Sequence, residues 1–272
     1  MKRRYHFERK PRTGLMGRIV MKWGGGLITD KSSLCTVLPD RIESLAKTVR
    51  QIFEMGHDLV IVHGAGSFGH IRAKEYRLAE GNVPDLDQNE AIQLVRRDMD
   101  QLHSHVIDAL RDLPIHSHPP REFVTNTGST FDGDLDAFLA PGIHLTFGDV
   151  VNCDPPADFG ILSGDDLMLR LSNELPDVIC SIFAMGGTPG VMTDSSTEAD
   201  LIPLLTAETG FTGVHDENVD VTGGIFLKVE RAFEIAKHVE HVWFIDGYHP
   251  SRMVEILSLI HISEPTRPER IG

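Results

Sequence analysis

The sequence predicts an α/β fold built on a largely parallel sheet with helices on both faces. Three observations carry that expectation. Apolar strand-like runs alternate with helical stretches along the chain, several of these runs lead straight into glycine-rich loops, and 272 residues are enough to bury a substantial core. Hydrophobic residues make up 41% and charged residues 24%, the ordinary globular range.

Taken in order, residues 1–17 are basic and have neither the apolar core of a secretory signal nor the serines of a transit peptide, so they are read as a mobile tail. Residues 18–23 read as a buried strand that runs into Gly24-Gly25-Gly26. Residues 39–55 place Ile42, Leu45, Val49 and Ile52 at a helical period, with Gly56 where a C-terminal cap belongs. Residues 58–63 form a second apolar strand before another glycine loop, and residues 86–113 a long charged helix. Residues 116–142 mix Pro, Gly, Asp and Thr and suggest a hairpin insertion or a lid. Further strands are expected at 143–147, 159–163, 177–184 and 242–246, and a helix at 223–239 opened by paired glycines. In such sheets ligands bind at the carboxyl ends of the strands, where these loops fall.

The formal net charge of −14 argues against a nucleic-acid partner, which needs a broad basic surface. An anionic ligand would instead meet a few local cations and backbone amides. Cys35, Cys153 and Cys180 are few, odd in number and widely spaced, which points to a reducing compartment, the cytoplasm. No apolar run has the length of a membrane span.

The glycine loops are where chemistry is expected. Lys22-Trp23-Gly24-Gly25-Gly26, followed by Thr29-Asp30-Lys31, offers unobstructed amides and two lysines. One lysine–phosphate contact at ~4 Å is worth about 4 kcal/mol before desolvation; a tight turn with two solvated lysines is the plainer alternative. His63-Gly64-Ala65-Gly66-Ser67-Phe68-Gly69-His70 offers a second anion-binding turn, with Ser67 as a candidate helix cap and His70 in the first helical turn as a phosphate donor. It is neither a Walker loop nor a dinucleotide fingerprint. Ser163-Gly164-Asp165-Asp166 starts a helix, with Asp166 as a simple capping carboxylate and Asp165 as a group that orients the lysines. Gly186-Gly187-Thr188-Pro189-Gly190, and Asp220-Val221-Thr222-Gly223-Gly224 with Lys228 beyond it, are two more glycine turns suited to a nucleotide.

In their order, KWGGGLITDK, VIVHGAGSFGH, FGDVV, ILSGDD, TPGVMT and DVTGGIFLK resemble the amino acid kinase superfamily, and within it the isopentenyl phosphate kinases. The histidine closing HGAGSFGH is the most specific mark, because members acting on carboxylates or carbamate generally lack it. The resemblance implies a three-layer αβα sandwich over residues 18–260, with an acceptor-phosphate half at 18–165, a nucleotide half at 166–260, and a tail at 261–272 outside the family pattern. It implies that Lys22, Gly24, Gly25, Gly26 and Gly66 meet ATP phosphates and that Lys31 stabilises the transition state. Ala65, His70 and Gly164 would hold the acceptor, Asp165 would close that side, and Gly187, Gly224 and Lys228 would lie along the nucleotide. The resemblance also implies Mg2+ carried on the ATP phosphates with no dedicated protein ligands, a small phosphate monoester as substrate, and a homodimer. Rival readings are a kinase of fosfomycin or another phosphonate, and a nucleotide-binding regulator without chemistry. Four departures stand out: Gly26 where the family usually has Ser, Ala65 for a usual Gly, Phe226 at a place often basic, and no closing Gly-Thr strand.

Overall fold

The computed structural model describes residues 16–84, 86–194, 196, 198–206 and 224–263. The expectations for the basic N-terminal tail, for Asp220–Gly223 and for residues beyond 263 therefore lie outside the described residues.

Two consecutive apolar runs set the architecture. β1 (Arg18–Trp23) and β2 (Asp58–His63) are buried along their whole length and pair in parallel, Val20 opposite Val60 and Trp23 opposite His63. Continuous burial means that both faces are covered. Between them lie α1 (Gly25–Ile28) and α2 (Pro39–Glu54). α2 begins with proline in its first turn and stops before Gly56, which adopts φ +99°. Such a left-handed φ ends a helix without a Cβ penalty.

Beyond β2 come α3 (Gly66–Glu75), α4 (Asn89–Ala109) and the short strand β3 (Ile115–Ser117). Next are β4 (Val124–Thr125), β5 (Asp132–Gly133), β6 (Ile143–Phe147), β7 (Asp149–Asn152) and β8 (Phe159–Leu162). α5 (Gly164–Glu174), β9 (Val178–Met185), α6 (Gly224–Ile235), β10 (His241–Asp246) and α7 (Ser251–Ser263) complete the described elements. The main sheet has the order β10-β9-β1-β2-β6-β3 and is parallel throughout. A second sheet, β5-β4-β7-β8, holds the antiparallel pairs.

Side-chain alternation along β1 divides the core. Ile19, Met21 and Trp23 pack with α2, α4 and α7 on one face. Val20, with Val60, Val62 and Phe183, packs against α5 and α6 on the other. The result is the expected αβα sandwich. The irregular stretch 116–142 does contain a hairpin, β4–β5. Several boundaries differ from expectation. The 86–113 helix is shorter, and β9 begins at Val178 because Asp177 sits at φ +59°. α7 runs without a break across the boundary expected at residue 260, and His261 Nε2 lies 3.3 Å from His57 Nε2. Among the described residues, no helix is long and apolar enough to cross a membrane.

Histidines are prominent in this interior. His144 is fully buried on β6; its Nδ1 lies 2.9 Å from His118 Nε2, and its Nε2 lies 2.8 Å from the Ala140 carbonyl. Burial, then the neighbouring His144 and His116 rings, push His118 down to about 4, and burial similarly takes His103 to about 4. An unfolded histidine titrates near its ordinary 6.5, so over this interval the unfolded chain binds more protons than the folded one. The contribution of these groups is complete above that value and is lost as pH falls through about 6.5 to about 4. Urea-unfolding midpoints should fall from about pH 7 to about pH 4.5, and the fall should be smaller in His118→Gln; equal slopes in the two proteins would contradict the assignment.

Candidate active site

The carboxyl ends of β1, β2, β8 and β9 open into one cavity of about 850 Å³. Around it the structure gathers Lys22, Gly24, Gly25, Gly26, Lys31, Ala65, Gly66, His70, Gly164, Asp165, Gly224 and Lys228. Of the residues expected at a site, Gly187 is the exception. It has φ +86° and open space about it, and its neighbour Gly186 lines the cavity in its place.

The cavity depends on a backbone contact between two loops. β1 and β2 are adjacent parallel strands, so the segments that leave them run side by side. A Cβ on Gly25 would stand 2.3 Å from the Gly66 nitrogen, and one on Gly64 2.5 Å from the Gly25 nitrogen. Gly66 adopts φ +51°, and a Cβ there would lie 2.0 Å from Thr29 Oγ1. Only glycine fits at these positions. Ala65, in contrast, has φ −74° and ψ −34°. The methyl that departs from the family pattern is thus accommodated in ordinary helical backbone.

Hydrogen bonds lock the lysine-bearing segment onto this contact. Thr29 Oγ1 donates to the Gly25 carbonyl (2.8 Å) and accepts from the Ser67 amide (3.0 Å). Ser67 Oγ accepts from the Thr36 amide (3.3 Å), and its carbonyl accepts from the Cys35 amide. The expectation that Ser67 caps α3 is therefore corrected: its donors and acceptors serve the 29–36 segment, and α3 has no side-chain cap. His70 is the fifth residue of α3, one step beyond the expected first turn, and faces the cavity with Lys74 one turn later. The end of the Lys31 side chain lies over Gly26, where an added Cβ would come within 2.3 Å of Lys31 Cε.

On the opposite wall Asp165, 1% exposed, gathers two cations. Lys22 Nζ lies 2.7 Å from Oδ1, and Lys228 Nζ lies 3.2 Å from Oδ2. Burial alone would raise this carboxyl, but the two ammonium groups outweigh it and hold it below the usual range. Ser163 Oγ accepts from the Asp165 amide and caps α5. Asp166, the carboxylate read as a simple cap, pairs instead with Arg231 at 2.7 Å.

Beside His70 the wall is apolar, formed by Ile71, Val95, Met99, Val150 and Ile161. The 86–113 helix supplies Val95 and Met99, α3 supplies Ile71, and β7 and β8 supply Val150 and Ile161. β7 escaped the sequence reading because a four-residue strand carrying Asp and Asn gives little apolar signal.

Comparison with known proteins places this geometry. The profile of the amino acid kinase family matches residues 17–246. The isopentenyl phosphate kinase of Thermoplasma acidophilum is 33% identical over 247 residues, covering 88% of this chain and 95% of that protein. That of Methanothermobacter thermautotrophicus is 30% identical over 267 residues, covering 93% and 98%. Among solved structures, an isopentenyl phosphate kinase substrate complex superposes with a TM-score of 0.72 at 27% identity, covering 89% of this chain and 95% of that one. A product complex of the Thermoplasma acidophilum enzyme gives 0.71 at 28% identity, covering 88% and 95%.

Replacing Asp165 by Asn should deprive the Lys22 and Lys228 ammonium groups of the carboxylate they share, Lys22 on a largely buried side chain. The expected loss of stability is about 3–5 kcal/mol by urea denaturation. Glu80→Gln, which breaks the exposed pair with Arg77, should cost less than about 1 kcal/mol. Equal effects would refute the role given to Asp165.

Proposed function

The chain belongs to the amino acid kinase family, and from that premise we propose that it moves the γ-phosphoryl group of ATP onto isopentenyl phosphate to give the diphosphate. The observation that carries this reading is the convergence of Lys22, Lys31, His70 and Lys228 on one cavity whose wall beside His70 is apolar.

A phosphate monoester near neutral pH is already an anionic nucleophile, so the reaction needs no strong base. It needs two anions aligned and their repulsion offset. In this reading Lys22 and the amides of Gly24, Gly25, Gly26 and Gly66 cradle the ATP phosphates. Lys31, reaching over Gly26, meets charge that develops on the group in transfer. Gly186, Gly224 and Lys228 follow the nucleotide, which occupies the half formed by residues 166–260, and Gly187 drops out of the set expected there. Ala65, His70 and Gly164 hold the acceptor phosphate in the half formed by residues 18–165. Asp165 keeps Lys22 and Lys228 fixed between the two.

Magnesium fits as a companion of the nucleotide. The buried Asp165 carboxylate is committed to two lysines, and among the described residues no group of three or more acidic, His or Cys side chains is placed to hold a metal. The ion would sit on phosphate oxygens and water, as Mg2+ commonly does, and would neutralise phosphate charge there.

The hydrocarbon tail would lie against Ile71, Val95, Met99, Val150 and Ile161. That apolar wall favours an isoprenoid acceptor over fosfomycin or another compact phosphonate, and the convergence of three lysines with His70 favours chemistry over a regulator that only binds. The proposal extends to a cytoplasmic homodimer, following the cysteine usage and the family resemblance.

An ADP-release assay over isopentenyl phosphate, dimethylallyl phosphate, fosfomycin and carboxylate acceptors tests the reading. Release should depend on an acceptor and be fastest with isopentenyl phosphate; acceptor-independent release, or preference for fosfomycin, would overturn it. Lys31→Ala should lower kcat by about a hundredfold or more, as loss of a transition-state donor does. Unchanged kcat would remove Lys31 from its role.

A further inference from the structure

The first histidine of HGAGSFGH and the phenylalanine of FGDVV have no part in the chemistry above, yet they lie directly beneath the cavity. His63 is the last residue of β2 and is buried. Its ring stacks on Phe147 (5.1 Å between centroids, 19° between planes) and on His103 of α4 (5.2 Å, 26°). Three contacts link these rings in series. His103 Nε2 lies 2.7 Å from Ser117 Oγ on β3, His103 Nδ1 lies 3.0 Å from His63 Nε2, and His63 Nδ1 lies 3.3 Å from the Gly64 carbonyl.

A carbonyl can only accept, so the last contact requires a proton on His63 Nδ1. His63 Nε2 is then an acceptor and takes the proton of His103 Nδ1, and His103 Nε2 accepts from the Ser117 hydroxyl. The chain of donors runs one way, from the sheet edge toward the glycine loop. Burial keeps both rings neutral: His63 is held well below its ordinary value, with the neighbouring His103 adding to the effect. Each neutral ring can therefore donate at one nitrogen and accept at the other.

The far end of this chain is a peptide group. The Gly64–Ala65 unit is planar, so its carbonyl and its N–H point in opposite directions. His63, which does not line the cavity, draws the carbonyl inward; Gly64 and Ala65 both line it. We propose that the Ser117–His103–His63 chain fixes this peptide so that the Ala65 N–H faces the acceptor phosphate, which makes His103, outside the cavity, a positioning residue for phosphoryl transfer. The inference rests on the kinase reading given above.

The test uses the full chain. His103→Leu removes the donor to His63 and keeps an apolar side chain of similar bulk. His103→Asn restores a donor where the imidazole Nδ1 stood. Loss of one hydrogen bond that orders a reacting group is worth about tenfold. His103→Leu should raise KM for isopentenyl phosphate about tenfold, with KM for ATP moving less than about twofold, and His103→Asn should return most of the loss. Equal behaviour of the Leu and Asn variants, or equal effects on both substrates, would reduce His103 to a packing residue. Imidazole ¹⁵N shifts of the wild-type protein, with His103 assigned by loss of its signal in the Asn variant, supply a reading independent of turnover and of whether the Leu variant folds. Both His63 and His103 should be protonated at Nδ1, and a proton on His63 Nε2 would overturn the chain. If the wild type released no ADP with isopentenyl phosphate, the kinase reading would fall, and the tautomers would still report on the chain.

Discussion

The approach of two glycine loops to within van der Waals contact is the constraint on which this site depends. Adjacent strands of a parallel sheet lie about 4.8 Å apart, and the loops leaving β1 and β2 stay in contact beyond the strands, the Gly64 amide donating to the Trp23 carbonyl at 2.9 Å. Gly25, Gly64 and Gly66 would each place a Cβ within 2.5 Å of the facing backbone or of Thr29. With glycine at all three, backbone amides from two strand ends are collected where one anion can meet several of them. The Thr29–Ser67 hydrogen bonds then carry the Lys31 segment to the same place. A contact between backbones thus fixes where the side-chain cations stand.

Charge is organised around this contact, against the background of the molecule. A chain with a net charge of −14 repels anionic ligands at long range, and salt damps that repulsion over about 10 Å. Within the cavity the balance is reversed by Lys22, Lys31, Lys228 and Lys74. Two of these share Asp165, whose negative charge offsets the repulsion between their ammonium groups. A buried carboxylate flanked by two lysines is a poor source of stability in itself. Its value is geometric: both lysines are held on the cavity wall, where the proposed reaction would bring phosphate oxygens.

Much of this was legible in the sequence, because each visible feature is a property of single residues or short spacings. Apolar runs announced β1 and β2, and glycines after them announced turns that no other residue could make. The position of Ala65 shows the limit of that reasoning, since whether a methyl is tolerated there depends on φ, which the residue type alone does not state. Ser67 was read as a cap because local chemistry favours it, but tertiary partners at Thr29 and Thr36 took its donors and acceptors. The pairing of His63 with His103, 40 residues apart, and the four-residue strand β7 leave no periodic trace.

The width of the apolar slot follows from the join between the two sheets. On one side stand Val95 and Met99, fixed by the core face of α4. On the other stand Val150 and Ile161, carried by the small sheet of β7 and β8, whose buried Val150, Val151, Phe159 and Leu162 join the core on the two faces of the main sheet. Arginine adds polar ties between that sheet and the main body. Arg96 Nε donates to the Val150 carbonyl (2.9 Å) and Nη2 to Asn152 Oδ1 (3.0 Å), while Arg121 joins Asp149 (2.6 Å) to Asp100 of α4. Asp149 is buried; burial raises its carboxyl, and Arg121 opposes the rise. These charged straps act on backbone and on β7 itself, so they set the distance between the two apolar walls without entering the slot. In the proposed reading, phosphate recognition would thus rest on backbone contacts that allow no variation, while the fit to the hydrocarbon would rest on side chains that can change size beneath a fixed clamp.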